Sequence, residues 1–158
     1  MSDAASATPA TQAHALAKEL QTSCLGVRVA RLHRLVGRRF DQALRPLGLS
    51  LSQMEILSGL TLFGGAVRPA YIADQLGVER STMSRNLALM EARDLIANVE
   101  TSPAGRSMTV TITEHGTATL ADARAAWTSA QADLVDHLGA DAPSILDAWT
   151  AEIGSTAT

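Results

Sequence analysis

Read for apolar spacing, most of the chain is helical, with one interruption where the period drops to two. Leu16, Leu20, Leu25, Val29, Leu32, Val36, Phe40 and Leu44 follow one another at three-, four- or five-residue steps and predict a long helix over residues 14–46. Between 69 and 96 the sequence PAYIADQLGVERSTMSRNLALMEARDLI divides into a short helix, a tight turn and a second helix. Pro69 suits a first helical position, where a missing N–H costs nothing, and Ile72, Ala73 and Leu76 give the first helix an inward face. Gly77 can take a positive φ without a Cβ clash, so the chain turns there while Val78 plugs the corner. Met83, Leu87 and Met90 then recur at i, i+4 and i+7 as the inward stripe of the second helix.

Over residues 96–112 the pattern changes. Met108, Val110 and Ile112 alternate with Thr109 and Thr111, which predicts two strands joined by the turn segment Ser102-Pro103-Ala104-Gly105-Arg106-Ser107. From Thr113, an N-cap by type, a second long helix runs to about Leu138 with Leu120, Ala123, Trp127, Ala130 and Leu134 inward. Pro143 opens a last short helix whose apolar side is Ile145 or Leu146, Trp149 and Ile153. A helix-turn-helix followed at once by a hairpin is a winged helix, so the expected fold is mainly α with a small β-hairpin wing. The expected organisation is a disordered tail over 1–13, a single domain over 14–153 and a frayed end over 154–158. Within that domain, 14–46 and 113–153 are dimerisation helices and 52–112 is the winged helix-turn-helix.

The outer face of the second helix of the pair carries the chemistry. Thr82, Arg85, Asn86, Leu89 and Arg93 lie opposite the apolar stripe, and Ser81, Thr82, Ser84 and Arg85 near its start are short donors or a forked cation. Such groups at the N-terminal end of a recognition helix suit phosphates and base edges in a major groove. Arg68 and Arg80 stand at the starts of the two helices, and Arg106, at the hairpin tip, can reach an adjacent minor groove or a phosphate. The competing reading of each is a solvated surface charge.

Three segments, LSLSQMEILSGL, YIADQLGVERSTMSRNLALMEARDLI and the ITEHG that follows the hairpin, resemble the multiple-antibiotic-resistance regulator (MarR) family over about residues 20–150. The family's succession of short motifs finds counterparts in Leu51-Ser52, Ile72-Ala73, Ser84-Arg85 and Ile112-Thr113-Glu114-His115-Gly116; each is weak, but their order is specific. The resemblance implies a homodimeric winged-helix transcription factor, usually a repressor released from its operator by a small ligand or by thiol oxidation. Two positions depart from the family pattern. Ala104-Gly105-Arg106 lacks the acid that commonly orients the wing arginine, and Asp94 stands where the family often has glycine.

Charge and composition narrow this picture. A chain of 158 residues with 46% hydrophobic and 18% charged residues is long and apolar enough for one folded domain. A net charge of −3 excludes bulk nucleic-acid binding. Residues 66–116 hold Arg68, Arg80, Arg85, Arg93 and Arg106 against Asp74, Glu79, Glu91, Asp94, Glu100 and Glu114, so these arginines must supply phosphate contacts by placement. A dimer doubles the arginines presented. The apolar stripes of the first and last helices exceed what a small winged domain covers, which predicts that these helices intertwine between two subunits. Arg31, Arg34, Arg38 and Arg45 on the first helix face six acids and a single arginine in residues 117–158, and either pair with them or line a pocket for an aromatic or otherwise anionic effector, as the resemblance implies.

Cys24 is the sole cysteine, which leaves no intrachain disulfide and fits a reducing compartment. Near Arg28 it is either a redox sensor, as in some members of the resembled family, or a small core residue. The candidate ligand or redox residues are Cys24, Arg28 and Arg31. His14, His33, His115 and His137 are scattered, and no phosphate loop, nucleophile elbow or metal-spaced cluster occurs. The start MSDAASATPATQAHA lacks the basic and apolar regions of a signal peptide, and no stretch is apolar enough to span a membrane. The expectation is therefore a cytoplasmic, non-enzymatic regulator without cofactor or metal, whose partners are an operator duplex, a second copy of itself and a small-molecule effector. The alternatives are a thiol-based sensor acting through Cys24 and a winged-helix interaction module that binds no operator.

Overall fold

The computed structural model describes residues 8–100 and 108–155. The chain forms two compact units, residues 1–38 and 39–158.

Helices α1 (Pro9–Ser23) and α2 (Leu25–Leu44) replace the single helix predicted over 14–46. Between them Cys24 is extended, at φ −67° and ψ 119°. Local chemistry accounts for the break. The hydroxyls of Thr22 and Ser23 bond back to the carbonyls of Lys18 (2.8 Å) and Glu19 (2.9 Å), so the last turn of α1 is closed by side chains. The Arg28 guanidinium donates to the Thr22 carbonyl, and the Arg28 N–H donates to the Cys24 carbonyl at 3.2 Å to open α2. Helix α1 also begins at Pro9, inside the stretch expected to be tail. Thr8 caps it by accepting the Thr11 N–H, and Pro9 occupies the position where proline costs nothing. No residue of α1 is buried; Leu16, Leu20, Leu25 and Val29 are exposed.

In the second unit the end of α2 contributes Phe40 and Leu44 to the core, and a short 3-10 helix, Arg45–Leu47, leads through Gly48 (φ 66°) to α3 (Leu51–Phe63). Ser50 caps α3 in a reciprocal box. Its hydroxyl accepts the Gln53 N–H and the Gln53 side chain accepts the Ser50 N–H, both at 3.2 Å. The Asp41 carboxylate accepts the Leu51 N–H at 2.7 Å, tying α2 to the same helix start. Ile56, Leu57 and Leu60 of α3 meet Ile72 and Ala73 of α4 (Pro69–Leu76) and Met83, Leu87 and Met90 of α5 (Arg80–Glu91) in one core.

Strands β1 (Ile96–Glu100) and β2 (Met108–Ile112) pair antiparallel, with Ile96 opposite Ile112 and Asn98 opposite Val110. A third segment joins them: Val67 and Val110 exchange main-chain hydrogen bonds of 2.9 and 2.8 Å, which fixes the hairpin to the entry of α4. The simple alternation predicted for β2 fails at its start. Met108 is 56% exposed, whereas Thr109 is 6% exposed and its hydroxyl donates to the Val99 carbonyl at 2.9 Å. A threonine satisfied across the ladder is buried at little cost.

Thr113 caps α6 (Glu114–Leu138), accepting the Gly116 N–H at 2.9 Å. Ala123 of α6 is fully buried. Helix α7 (Ala142–Ser155) has no buried residue, and Ile145, Leu146, Trp149 and Ile153 are exposed along it. No helix among the described residues is long and apolar enough to cross a membrane.

Candidate nucleic-acid interface

The turn between α4 and α5 is built as its residues dictate. Gly77 adopts φ 62°, and the Val78 N–H closes back on the Ala73 carbonyl at 2.9 Å, so the helix ends in a left-handed cap and the chain reverses within three residues. Met83, Leu87 and Met90 are drawn into the core on the inner side of α5. That anchorage sets the helix's rotation and turns Ser81, Thr82, Ser84 and Arg85 outward, all exposed.

The predicted residues do not form one uniform row. Ser81 and Arg85 lie opposite the buried stripe, with Thr82 on the flank between Arg85 and Asn86. Arg80 and Ser84 sit at the side, bordering an apolar groove between α4, α5 and the strands, floored by Ala73, Met83, Leu87 and Val110. Asn86 is half-buried, and its amide donates to the Thr82 carbonyl at 3.2 Å, a turn back on the same helix. Arg68 is the exposed N-cap of α4. Arg106 and the turn around it lie outside the described residues.

Arg93, expected to supply a phosphate contact, is occupied elsewhere. Its guanidinium donates to the carbonyls of Gly48 and Leu47, the latter at 3.1 Å, at the end of the 3-10 helix. The cation there holds the base of α5 to the start of the α3 segment. Sequence spacing alone placed it on the outer face, since nothing local marks a partner 45 residues away. Glu91 is likewise engaged, accepting from the side-chain amide of Asn98 on β1. The acid at the end of α5 is thus bonded toward the hairpin.

Arg31, Arg34 and Arg38 on α2 and Arg45 on the 3-10 helix are exposed, and among the described residues an ion pair with the C-terminal acids forms at Arg39–Asp133, at 3.7 Å. Both partners are half-exposed, so it orients more than it stabilises. Cys24 is half-buried, and Arg28 is committed to the Thr22 carbonyl. No group of three or more His, Cys, Asp and Glu residues among the described residues could hold a metal ion. The reciprocal Ser50–Gln53 cap went unread in the sequence, although a serine followed three residues later by glutamine was its signal.

A family model described as MarR family matches residues 47–107, which span the 3-10 helix, α3, the helix pair and the hairpin. Among solved structures, the chain is similar to the Mycobacterium tuberculosis transcriptional regulator MosR at 29% identity, with 86% of this chain and 96% of that one covered and a TM-score of 0.73. It is similar to the transcriptional repressor CouR bound to a 23-mer DNA duplex at 27% identity, covering 85% and 95%, with a TM-score of 0.72. CouR bound to p-coumaroyl-CoA aligns at 28% identity over 86% and 94%, with a TM-score of 0.73. A search of curated proteins finds no match. The helix pair, its paired hairpin and the likeness to these regulators along nearly their whole length agree: residues 47–107 match the MarR family, and the chain as a whole is similar to winged-helix transcriptional regulators.

Proposed function

We propose that this protein is a homodimeric, sequence-specific DNA-binding repressor whose hold on its operator is released by a small-molecule ligand. The observation that carries the DNA-binding reading is the outer face of α5. Thr82 and Arg85 are held outward by the burial of Met83, Leu87 and Met90, and stand exposed with Ser81 beside them. A rigid helix with hydroxyls and a forked cation on its free side reads major-groove edges and grips phosphates. Arg68, Arg80 and Ser84 flank that face and serve the backbone; Asn86 steadies it from within the helix. Arg106 extends the contact from the wing. The DNA complex of CouR supports the mode of binding, and its p-coumaroyl-CoA complex supports control by a small molecule.

The dimeric reading is supported by exposed apolar side chains among the described residues. Leu16, Leu20, Leu25 and Val29 on the first two helices, and Ile145, Leu146 and Trp149 on α7, are all exposed. Monomers rarely leave so many large apolar side chains on successive turns. Ligand release is favoured over thiol oxidation because Arg28, the cation nearest Cys24 in sequence, is bonded to the Thr22 carbonyl. A repressor of this kind works in the cytoplasm, where the operator is.

The test is titration of duplexes from the region upstream of the protein's own gene, at several salt concentrations and with excess competitor DNA. Binding that resists competitor and weakens steeply with salt is expected, and Arg85→Ala should abolish it. Specific binding that Arg85→Ala leaves untouched would remove α5 from the interface. No specific duplex at all would favour a protein-interaction module.

A further inference from the structure

Phosphate contacts account for the arginines of the outer face but not for Leu89. This residue is 59% exposed on a helix whose other large apolar side chains, Met83, Leu87 and Met90, are buried. At 3.6 residues per turn it lies about 20° around the axis from Thr82, two turns on, and about 40° from Arg85, one turn on. Leu89 therefore continues the row that carries the proposed DNA contacts. Its outward neighbours Ala88 and Ala92 are exposed as well. The polar residues nearest in sequence face other work, Glu91 at Asn98 and Arg93 at the Leu47 and Gly48 carbonyls.

The third turn of this face is thus a methyl surface. Ala88, Leu89 and Ala92 have no side-chain donor or acceptor with which to recognise a purine N7, a carbonyl oxygen or an exocyclic amine. In the major groove the group that an apolar side chain reads is the C5-methyl of thymine. We infer that Leu89 is a specificity-determining residue, selecting thymine through van der Waals contact with that methyl. Four residues of helix advance about 6 Å, against about 3.4 Å per base step, so the selected thymine lies within about two base pairs of the base or phosphate met by Arg85. The assignment rests on the DNA-binding reading above and adds to it a base preference that polar contacts do not supply.

The experiment uses the full-length protein. A duplex bound by the wild type is selected from a randomised pool, and each thymine of a half-site is then replaced by uracil, which removes the C5-methyl and nothing else. Affinities of wild type, Leu89→Ala and Leu89→Met are measured by fluorescence anisotropy at one fixed salt concentration, with circular dichroism to verify folding. At one thymine near the Arg85 contact, uracil should weaken the wild type about fourfold, the worth of one methyl group returned to water. Leu89→Ala should bind the thymine and uracil duplexes equally, and Leu89→Met should keep most of the difference. A selected duplex in which no thymine shows a methyl effect overturns the assignment while leaving DNA binding intact; so does a methyl effect that persists in Leu89→Ala. A pool from which the wild type enriches nothing overturns the DNA-binding reading and this assignment with it.

Discussion

The side-chain hydroxyl of Thr113 donates to the main-chain carbonyl of Asp94 at 2.6 Å, locking the turn that follows α5 to the start of α6. The same oxygen accepts the Gly116 N–H at 2.9 Å, and the Thr113 N–H donates to the Leu95 carbonyl at 3.2 Å. Gly116 closes the corner. A Cβ at this position would overlap the Leu95 carbonyl oxygen and lie 3.0 Å from Cγ1 of Ile112. Gly116→Ala should therefore lower stability by about 3 kcal/mol, as overpacking against main chain does, and Thr113→Val by about 1–2 kcal/mol through loss of the cap. Urea denaturation measures both.

Asp94 makes the turn into β1 at φ 55°, the one non-glycine residue with positive φ among those described. Aspartate tolerates this conformation at some cost, and glycine removes it. Asp94→Gly should raise stability by up to about 1 kcal/mol, and Asp94→Val should lower it by more than that. A shift in thermal midpoint of the wrong sign for either variant would place the main influence of Asp94 elsewhere.

Arg93 and Arg80 are both exposed cations of the same segment but should behave oppositely. With its guanidinium on the Leu47 and Gly48 carbonyls, Arg93 is structural, so Arg93→Ala should cost about 1 kcal/mol of stability and leave the salt dependence of DNA binding unchanged. Arg80→Ala should leave stability nearly intact and reduce the slope of log affinity against log salt by about 0.9 per subunit. Equal slopes for the two variants would contradict this division.

The exposed apolar side of α7 gives a prediction about assembly. Trp149→Asp places a charge where the second copy is proposed to dock, and should convert the protein to a monomer in light scattering while the winged helix keeps its circular dichroism. A dimer that survives this change and a matching Leu20→Asp change would move the interface off both faces.

Much of the fold was legible in the sequence because local signals agreed. Pro69, Gly77 and the Met83–Leu87–Met90 stripe fixed the helix pair, and Thr113 marked the start of α6. The features that escaped depend on something other than periodicity. The break at Cys24 left a trace, the five-residue step from Leu20 to Leu25, which skips one residue of a four-residue rhythm; the hydroxyls of Thr22 and Ser23 make that skip a helix end. Thr109 is buried through a bond to Val99 ten residues away, and Arg93 is tied to Leu47 and Gly48 across the fold. Such partners come together only after the chain has collapsed. Of the interface, the outward set on α5 was readable as a set, but the side positions of Arg80 and Ser84 and the inward bond of Asn86 required the packed helix.

The main-chain exchange between Val67 and Val110 makes the hairpin a ruler. Because β2 is pinned at its middle to the residue that leads into α4, strands β1 and β2 cannot swing independently of the helix pair. On a duplex that turns about 34° per base pair, strands held in this way would follow α5 as one body, and an inserted base pair would have to be absorbed by the DNA. Under the proposed DNA binding, spacing within a half-site, as well as base identity, would then matter.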